Sequence, residues 1–216
     1  IMAHTIALKD YLLKRLKKLY PVYLLTNIIA LFLAILQHGL SVISLKRVAF
    51  TLLLQMGGGL ETGNPYNSPT WFLSTLFLCY LVFFFVSYHS QTITRHHCSV
   101  IACIVWGYTL TVVNLAVPFC YPESGLGLMN FFIGCMLAEI YPLLTQTTHK
   151  WLYPLSFFTV LISFYLFLSY GVEIICGNVP TAFAFVICPL ILYLAISHGV
   201  CSKILQWKPL VYLGKV

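Results

Sequence analysis

The chain has 216 residues, of which 60% are hydrophobic and only 8% charged, with a mean hydropathy of +0.92 and a formal net charge of +7. A soluble domain carries about 25% charged residues to hydrate its surface, so this composition excludes an ordinary water-soluble fold. Lipid is left as the solvent for most of the surface, and the chain reads as a polytopic membrane protein.

The first predicted element is a short basic helix. Asp10 is its candidate N-cap. At 100° per residue, Lys14, Arg15, Lys17 and Lys18 share one arc up to Leu19, with Leu12, Leu13, Leu16 and Leu19 opposite. Such a helix belongs on the inner leaflet surface. Pro21 suits the first turn of a new helix, where its missing N–H costs nothing. The sequence therefore predicts a surface helix that turns into a span.

A spanning helix needs about 20 mostly apolar residues. Six such stretches are legible, at 19–37, 70–88, 99–120, 125–144, 152–171 and 178–197. Runs such as Leu78 to Val86 do not alternate, so helices are favoured over barrel strands. The expected fold is all-α, a polytopic transmembrane helix bundle forming one domain over 1–216. Between the first two spans, residues 38–69 make a long outer excursion. Val48 to Leu54 is apolar but too short to cross, so 41–56 reads as an in-plane or partly re-entrant helix. Gly57-Gly58-Gly59 and 62–69 are dense in turn residues. Ser68 and Pro69 then look like N-cap and first position of the helix carrying Trp71, which is expected at the outer interface. In the fourth span Gly134 and Ala138, four apart, offer a small face for close packing. Pro180 and Pro189 interrupt the last span.

Loop charges set the orientation. With the basic N-terminus cytoplasmic, the loops 89–98 (Arg95) and 145–151 (Lys150) and the tail after 198 are cytoplasmic too. Ten of the twelve Lys and Arg then lie inside, Lys46 and Arg47 being the exceptions. The net charge is thereby explained by topology and gives no argument for nucleic acid. Both termini of the chain are expected on the cytoplasmic side of the cell membrane. Most of the eight cysteines fall within predicted spans, where a free thiol is a small hydrophobe. Cys120 and Cys176 fall near the outer face, where pairing is permitted, though no compact secreted framework surrounds them. His89, His96, His97 and Cys98 share the loop 89–98 at a spacing unlike a zinc site, so no metal is expected.

The basic cluster admits two readings. Four cations near anionic lipid contribute about 1 kcal/mol each, which suffices for anchoring. The same cations could instead form charge-assisted hydrogen bonds to phosphate on a cytosolic donor such as a coenzyme A thioester. Family resemblance favours the second. Lys14-Arg15-Leu16-Lys17-Lys18-Leu19-Tyr20-Pro21-Val22-Tyr23 resembles the basic, Pro, Tyr motif opening the third helix of the acyltransferase 3 family. Pro69-Thr70-Trp71-Phe72-Leu73-Ser74, with Tyr80 further on, resembles its Trp-x-Leu-Ser helix, and Phe131-Phe132-Ile133-Gly134 its Phe-x-x-Gly segment. Pro209-Leu210-Val211-Tyr212-Leu213-Gly214-Lys215-Val216 resembles the start of its Leu-Gly-x-x-Ser-Tyr helix. The four matches lie in family order across nearly the whole chain.

The resemblance implies an enzyme that moves an acyl group, commonly acetyl, from cytosolic acyl-CoA to a hydroxyl of a cell-surface or lipid-linked carbohydrate. It implies that Arg15 and Lys18 contact the donor's phosphates, with Lys14 assisting. Lys18 stands where the family often has Arg, which keeps charge but weakens bidentate recognition. Leu76 stands where many members have Glu. The family's catalytic His lies on its first helix, upstream of the stretch matched here. No catalytic residue is therefore assigned, and the chain is expected to be an internal stretch of a longer protein, inactive alone. Glu139, the one acid within a predicted span, lies one turn before Pro142 and near the interface. Asn27, Asn114 and Asn130 read as interhelical hydrogen-bond partners. The rival class is a transporter or flippase of glycan or lipid, which calls for broken helices at mid-membrane and a repeated half. A membrane scaffold would need neither pocket nor donor site.

Overall fold

The computed structural model describes residues 7–56, 59–60, 65–90, 92–113, 115, 117–146, 158, 161–162, 165, 169 and 206–215. Among them the chain is helical throughout, with no strand, as the long unalternating apolar runs require. In chain order come α1 (Leu8–His38), α2 (Leu45–Leu52), α3 (Trp71–His89), α4 (Ile93–Val113), α5 (Pro122–Gln146) and α6 (Lys208–Lys215). Short 3-10 turns at Leu40–Val42 and Ser68–Thr70 precede α2 and α3. Four helices among the described residues are long and apolar enough to cross a membrane: Leu8–His38, Ser68–His89, Ile93–Val113 and Pro122–Leu143. Of the predicted span 152–171, Phe158, Leu161, Ile162, Tyr165 and Ser169 are described, all helical and exposed on one face; the span 178–197 lies outside the described residues.

Packing divides the chain into a first unit, Ile1–Phe132, and a second, Ile133–Val216. The first unit holds most of what is described, and its core lies where α3, α4 and α5 meet. There Phe132, Val100 and Leu110 are buried almost completely. Glycine sets the spacing. A Cβ at Gly125 would stand 2.6 Å from the Gly107 carbonyl oxygen, and one at Gly107 would stand 2.6 Å from the Met129 nitrogen. A Cβ at Gly127 would run into the Thr75 side chain. The backbones of α4 and α5 therefore touch directly, the approach that small residues allow between helices in lipid. The small face expected at Gly134 and Ala138 is not where this happens: a Cβ at Gly134 would meet nothing within 4 Å.

The N-terminal expectation needs correction. The basic stretch and the first span form one continuous helix of 31 residues, with Pro21 inside it. Asp10 lies in its first turn, and the N-cap is Ala7, which makes no side-chain cap bond. Inside the helix Pro21 removes the hydrogen bond its own nitrogen would donate and crowds the carbonyl of Lys17, yet the helix continues through it. The basic cluster is thus the stem of a spanning helix. Similarly, α4 starts at Ile93, so Arg95, His96, His97 and Cys98 occupy its first two turns instead of a loop. Thr92 supplies the start signal, its hydroxyl accepting from the Arg95 N–H at 3.3 Å.

α3 lies antiparallel to α1. Thr70 meets Asn27 at one end, and Tyr80 and Phe84 meet Tyr11 at the other. Two consequences follow from that register. Trp71 stands beside Asn27, eleven residues or about 16 Å short of the His38 end of α1, and not level with that outer end. Arg15 stands against Tyr80, the tenth of nineteen residues in α3, deep beside that helix and not at its foot.

The excursion between α1 and α3 folds inward, which selects the re-entrant reading over the in-plane one. Gly39, at φ +72, ends α1 and donates its N–H to Ile35 O, a conformation suited to glycine. α2 then runs back down the side of α1 until its last turn reaches Tyr20 and Tyr23. Tyr23 Oη donates to Thr51 O at 2.7 Å, and Tyr20 Oη donates to Leu52 O at 3.0 Å. These bonds satisfy carbonyls at the end of a helix too short to span, a requirement wherever irregular backbone lies at membrane depth. The chain returns through the Ser68–Thr70 turn, whose N-cap is Asn67 and whose Pro69 sits in its first positions. Buried Asn27 secures that turn: its amide donates to Thr70 Oγ1 at 3.2 Å, and its carbonyl oxygen accepts from the Asn67 N–H at 3.0 Å.

Candidate functional site

The two displaced basic residues of the sequence, Lys46 and Arg47, lie on the re-entrant α2. Arg47 donates to Pro65 O at 3.2 Å and its guanidinium lies 4.5 Å from the centre of the Tyr66 ring. That cation is tied into the loop and stitches its two arms together.

Arg15 is placed differently. Its guanidinium lies 4.0 Å from the Tyr11 ring centre, one turn back on α1, and 5.0 Å from that of Tyr80 on α3. The two rings stand edge to face, 6.5 Å apart at 90°. Among the described residues Arg15 has neither a carboxylate nor a hydrogen-bond partner; the rings hold it by cation–π attraction and by excluding other rotamers. A guanidinium seated on ring faces keeps its planar edge of N–H donors free. A cation set among apolar and aromatic side chains is costly unless it faces a cavity or solvent.

Arg15 does face a cavity. That cavity is an open groove between α1 and α3, about 280 Å³ with the adjoining solvent space included. Leu16, Leu19, Tyr20 and Tyr23 form its α1 wall, and Leu73, Phe77 and Tyr80 its α3 wall. From Arg15 to Tyr23 is eight residues, so the groove is about 12 Å long. Arg15 and Tyr80 mark one end, Tyr23 and Leu73 the other. Leu54, from the turn after α2, enters at the Tyr23 end and is 8% exposed. Its φ of +56° is left-handed, a conformation that costs a side-chain-bearing residue about 1–2 kcal/mol.

Of the three residues assigned to donor binding from sequence, the structure brings only Arg15 to the cavity. Lys14 and Lys18 are exposed on the flanking face of α1 and do not line it. The arcs of the helical wheel explain the split: Arg15 lies at the seam next to Leu19, while Lys14 and Lys18 turn outward. Two groups went unassigned. Tyr11 was legible in principle, since a Tyr one turn before an Arg can seat it. Leu54 was not, because its place depends on a re-entrant loop that no local pattern reports. Three of the four motif segments converge on this site. Arg15 meets Tyr80, and Tyr80 meets the Phe131 ring at 5.8 Å and 82°. Ser74, in the second motif, is buried with its hydroxyl unpartnered among the described residues. Glu139 is exposed on α5, and Asn114 lies outside the described residues. Asn130 donates within its own helix to Leu126 O at 3.0 Å, so it is not the interhelical link expected of it on that side. Cys120 carries a free thiol and Cys176 lies outside the described residues.

The arrangement presents the Arg15 guanidinium edge at one end of an open, mostly apolar groove. Its described lining consists of Arg15, tyrosines, leucines and Phe77, with no histidine or carboxylate. In comparisons with known proteins, a family model described as an acyltransferase domain matches residues 2–216. Neither the curated proteins nor the solved structures contain a match.

Proposed function

Because this chain belongs to the acyltransferase 3 family, we propose that it is the donor-binding part of a membrane-embedded acyltransferase that takes an acyl group, acetyl in the first instance, from cytosolic acyl-CoA. The observation that carries this reading is Arg15, a cation with no acid partner among the described residues, held by two tyrosine rings at the mouth of an apolar groove. A phosphate of the donor meets the guanidinium edge, and the thioester arm lies along Leu16, Leu19 and Phe77. Lys14 and Lys18, exposed on the same turn, attract the polyanionic nucleotide end without lining the groove. The acceptor is a hydroxyl of a cell-surface or lipid-linked carbohydrate. In the transfer the carbon–sulfur bond of the thioester breaks, a carbon–oxygen ester bond forms, and the hydroxyl proton ends on the released thiol. A general base must take that proton, and the groove's described lining does not supply one. The positive-inside bias supports a reading with both termini of the chain at the cytoplasmic face of the cell membrane, the side on which the donor is found.

Anionic phospholipid offers the same chemistry, a phosphate with an apolar tail, so the test separates the two. Acetyl-CoA binding is measured on the chain in nanodiscs of purely zwitterionic lipid. Arg15→Ala is expected to weaken it at least tenfold, Arg15→Lys by less, and Lys14→Ala with Lys18→Ala by a few-fold that disappears at high salt. Absence of acetyl-CoA binding, together with Arg15-dependent retention of anionic lipid, overturns the reading in favour of a lipid anchor.

A further inference from the structure

The groove has a built end, and it is made by a residue in a conformation unusual for it. Leu54 sits at φ +56°, where the backbone alone would favour glycine or asparagine, yet its side chain is buried in the groove. One carbonyl fixes it there. Thr51 O accepts from Tyr23 Oη at 2.7 Å and from the Leu54 N–H at 3.1 Å, so the same oxygen joins the α1 wall to the turn that carries Leu54. The Gln55 N–H to Phe50 O bond, 2.8 Å, closes the turn behind it. Strain retained at one residue and secured on both sides points to a use for that side chain.

We propose that Leu54 is the stop that sets the length of acyl group accepted. This rests on the donor reading above: with a phosphate at Arg15, the arm runs towards Tyr23 and Leu73 and its acyl end arrives at Leu54. A short acyl group fits in front of the isobutyl side chain, and a longer one collides with it. The neighbouring residue shows that the turn as such is not the stop. Leu53 belongs to the same turn but points away, 65% exposed and absent from the groove lining. Thr51 and Leu52 contribute backbone carbonyls, which Tyr23 and Tyr20 already occupy. Leu54 is therefore the one side chain the re-entrant segment contributes to the groove's described lining.

The test uses the chain in zwitterionic nanodiscs, labelled acetyl-CoA as probe, and acetyl-, butyryl- and hexanoyl-CoA as competitors, with empty nanodiscs to subtract partitioning into lipid. The unmodified chain is expected to prefer acetyl over hexanoyl. Leu54→Gly suits the left-handed backbone and removes the stop, so the hexanoyl-to-acetyl affinity ratio should rise at least tenfold; each accommodated methylene is worth up to about fourfold. Leu53→Gly loosens the same turn without touching the groove and should leave the ratio unchanged. A ratio that does not move in Leu54→Gly, while acetyl-CoA still binds the unmodified chain in an Arg15-dependent way, overturns this inference and leaves the donor site standing. A ratio that rises equally in Leu53→Gly overturns it too, since loosening of the loop then accounts for the change. Failure of acetyl-CoA to bind the unmodified chain overturns the donor reading itself.

Discussion

The two sides of α3 are held by different physics. On one side Gly127 of α5 lets that helix settle on the Thr75 side chain of α3, and α5 in turn meets α4 backbone to backbone at Gly107 and Gly125. Towards α1, contact is made by tyrosine rings, by a few hydrogen bonds from Tyr20, Tyr23 and Asn27, and by a re-entrant turn, and an open groove remains. Close packing builds a rigid wall because its many small dispersion contacts leave little room for adjustment. A few directional bonds instead keep two helices apart at a set distance, which is how a groove survives without collapsing. The comparison teaches that the groove is an outcome of residue choice: tyrosine and leucine line it where glycine lines the opposite face.

The largest effect should come from filling the closed side. In Gly125→Val the new side chain meets the Gly107 carbonyl and the Thr111 nitrogen, backbone atoms that cannot rotate away. Overpacking of this kind costs about 1–3 kcal/mol in ordinary cores and more where backbone must move, so a loss of at least about 3 kcal/mol is expected. The unfolding midpoint in mild detergent measures it. An unchanged midpoint would break the comparison, because the α4–α5 seam would then be as adaptable as the groove.

A smaller and more local effect is expected on the open side. Asn27→Leu keeps the volume and removes both bonds to the Ser68–Thr70 turn, leaving the Asn67 N–H without its acceptor. One unsatisfied buried donor costs about 1–3 kcal/mol. Hydrogen exchange should rise across 65–70 and at Thr51 to Gln55, with α4 and α5 protected as before. If exchange rises equally in α4 and α5, the two sides are one cooperative structure and the contrast drawn above fails.

How much of this was legible in the sequence follows from the same division. Apolar length reports spans directly, and 70–88 and 125–144 agree with α3 and α5 to within a few residues. The basic cluster, its orientation signal and the motif order were equally open to reading, because each is a local property of consecutive residues. What could not be read was register between helices. That Arg15 stands beside Tyr80, and Trp71 beside Asn27, depends on how far α3 slides along α1. Turn residues at 57–69 announced a loop but not its direction, and the loop turns inward on bonds from Tyr20 and Tyr23 that lie some thirty residues away. Among the described residues the close approach is made by other glycines, at Gly107, Gly125 and Gly127, for a related reason. Gly134 and Ala138 have suitable spacing, but spacing reports a capacity for close approach, and only the partner helix decides which small residues use it.

The smallest expected effect is also the one that sharpens the comparison most. Tyr80 presents a ring to both sides: Arg15 at 5.0 Å and Phe131 at 5.8 Å. Its hydroxyl makes no hydrogen bond among the described residues. If Tyr80 acts on Arg15 only through its ring face, Tyr80→Phe should leave acetyl-CoA affinity close to unchanged. Tyr80→Leu should weaken it by roughly two- to fivefold, the equivalent of about 0.5–1 kcal/mol for one cation–π contact. Stability should change little in Tyr80→Phe, which keeps the edge-to-face pairing with Phe131. Should Tyr80→Phe lose as much affinity as Tyr80→Leu, the hydroxyl would be a donor-binding group in its own right. Arg15 would then be half of a polar pair, and the open side would owe its selectivity to hydrogen bonding instead of to a cation seated on rings.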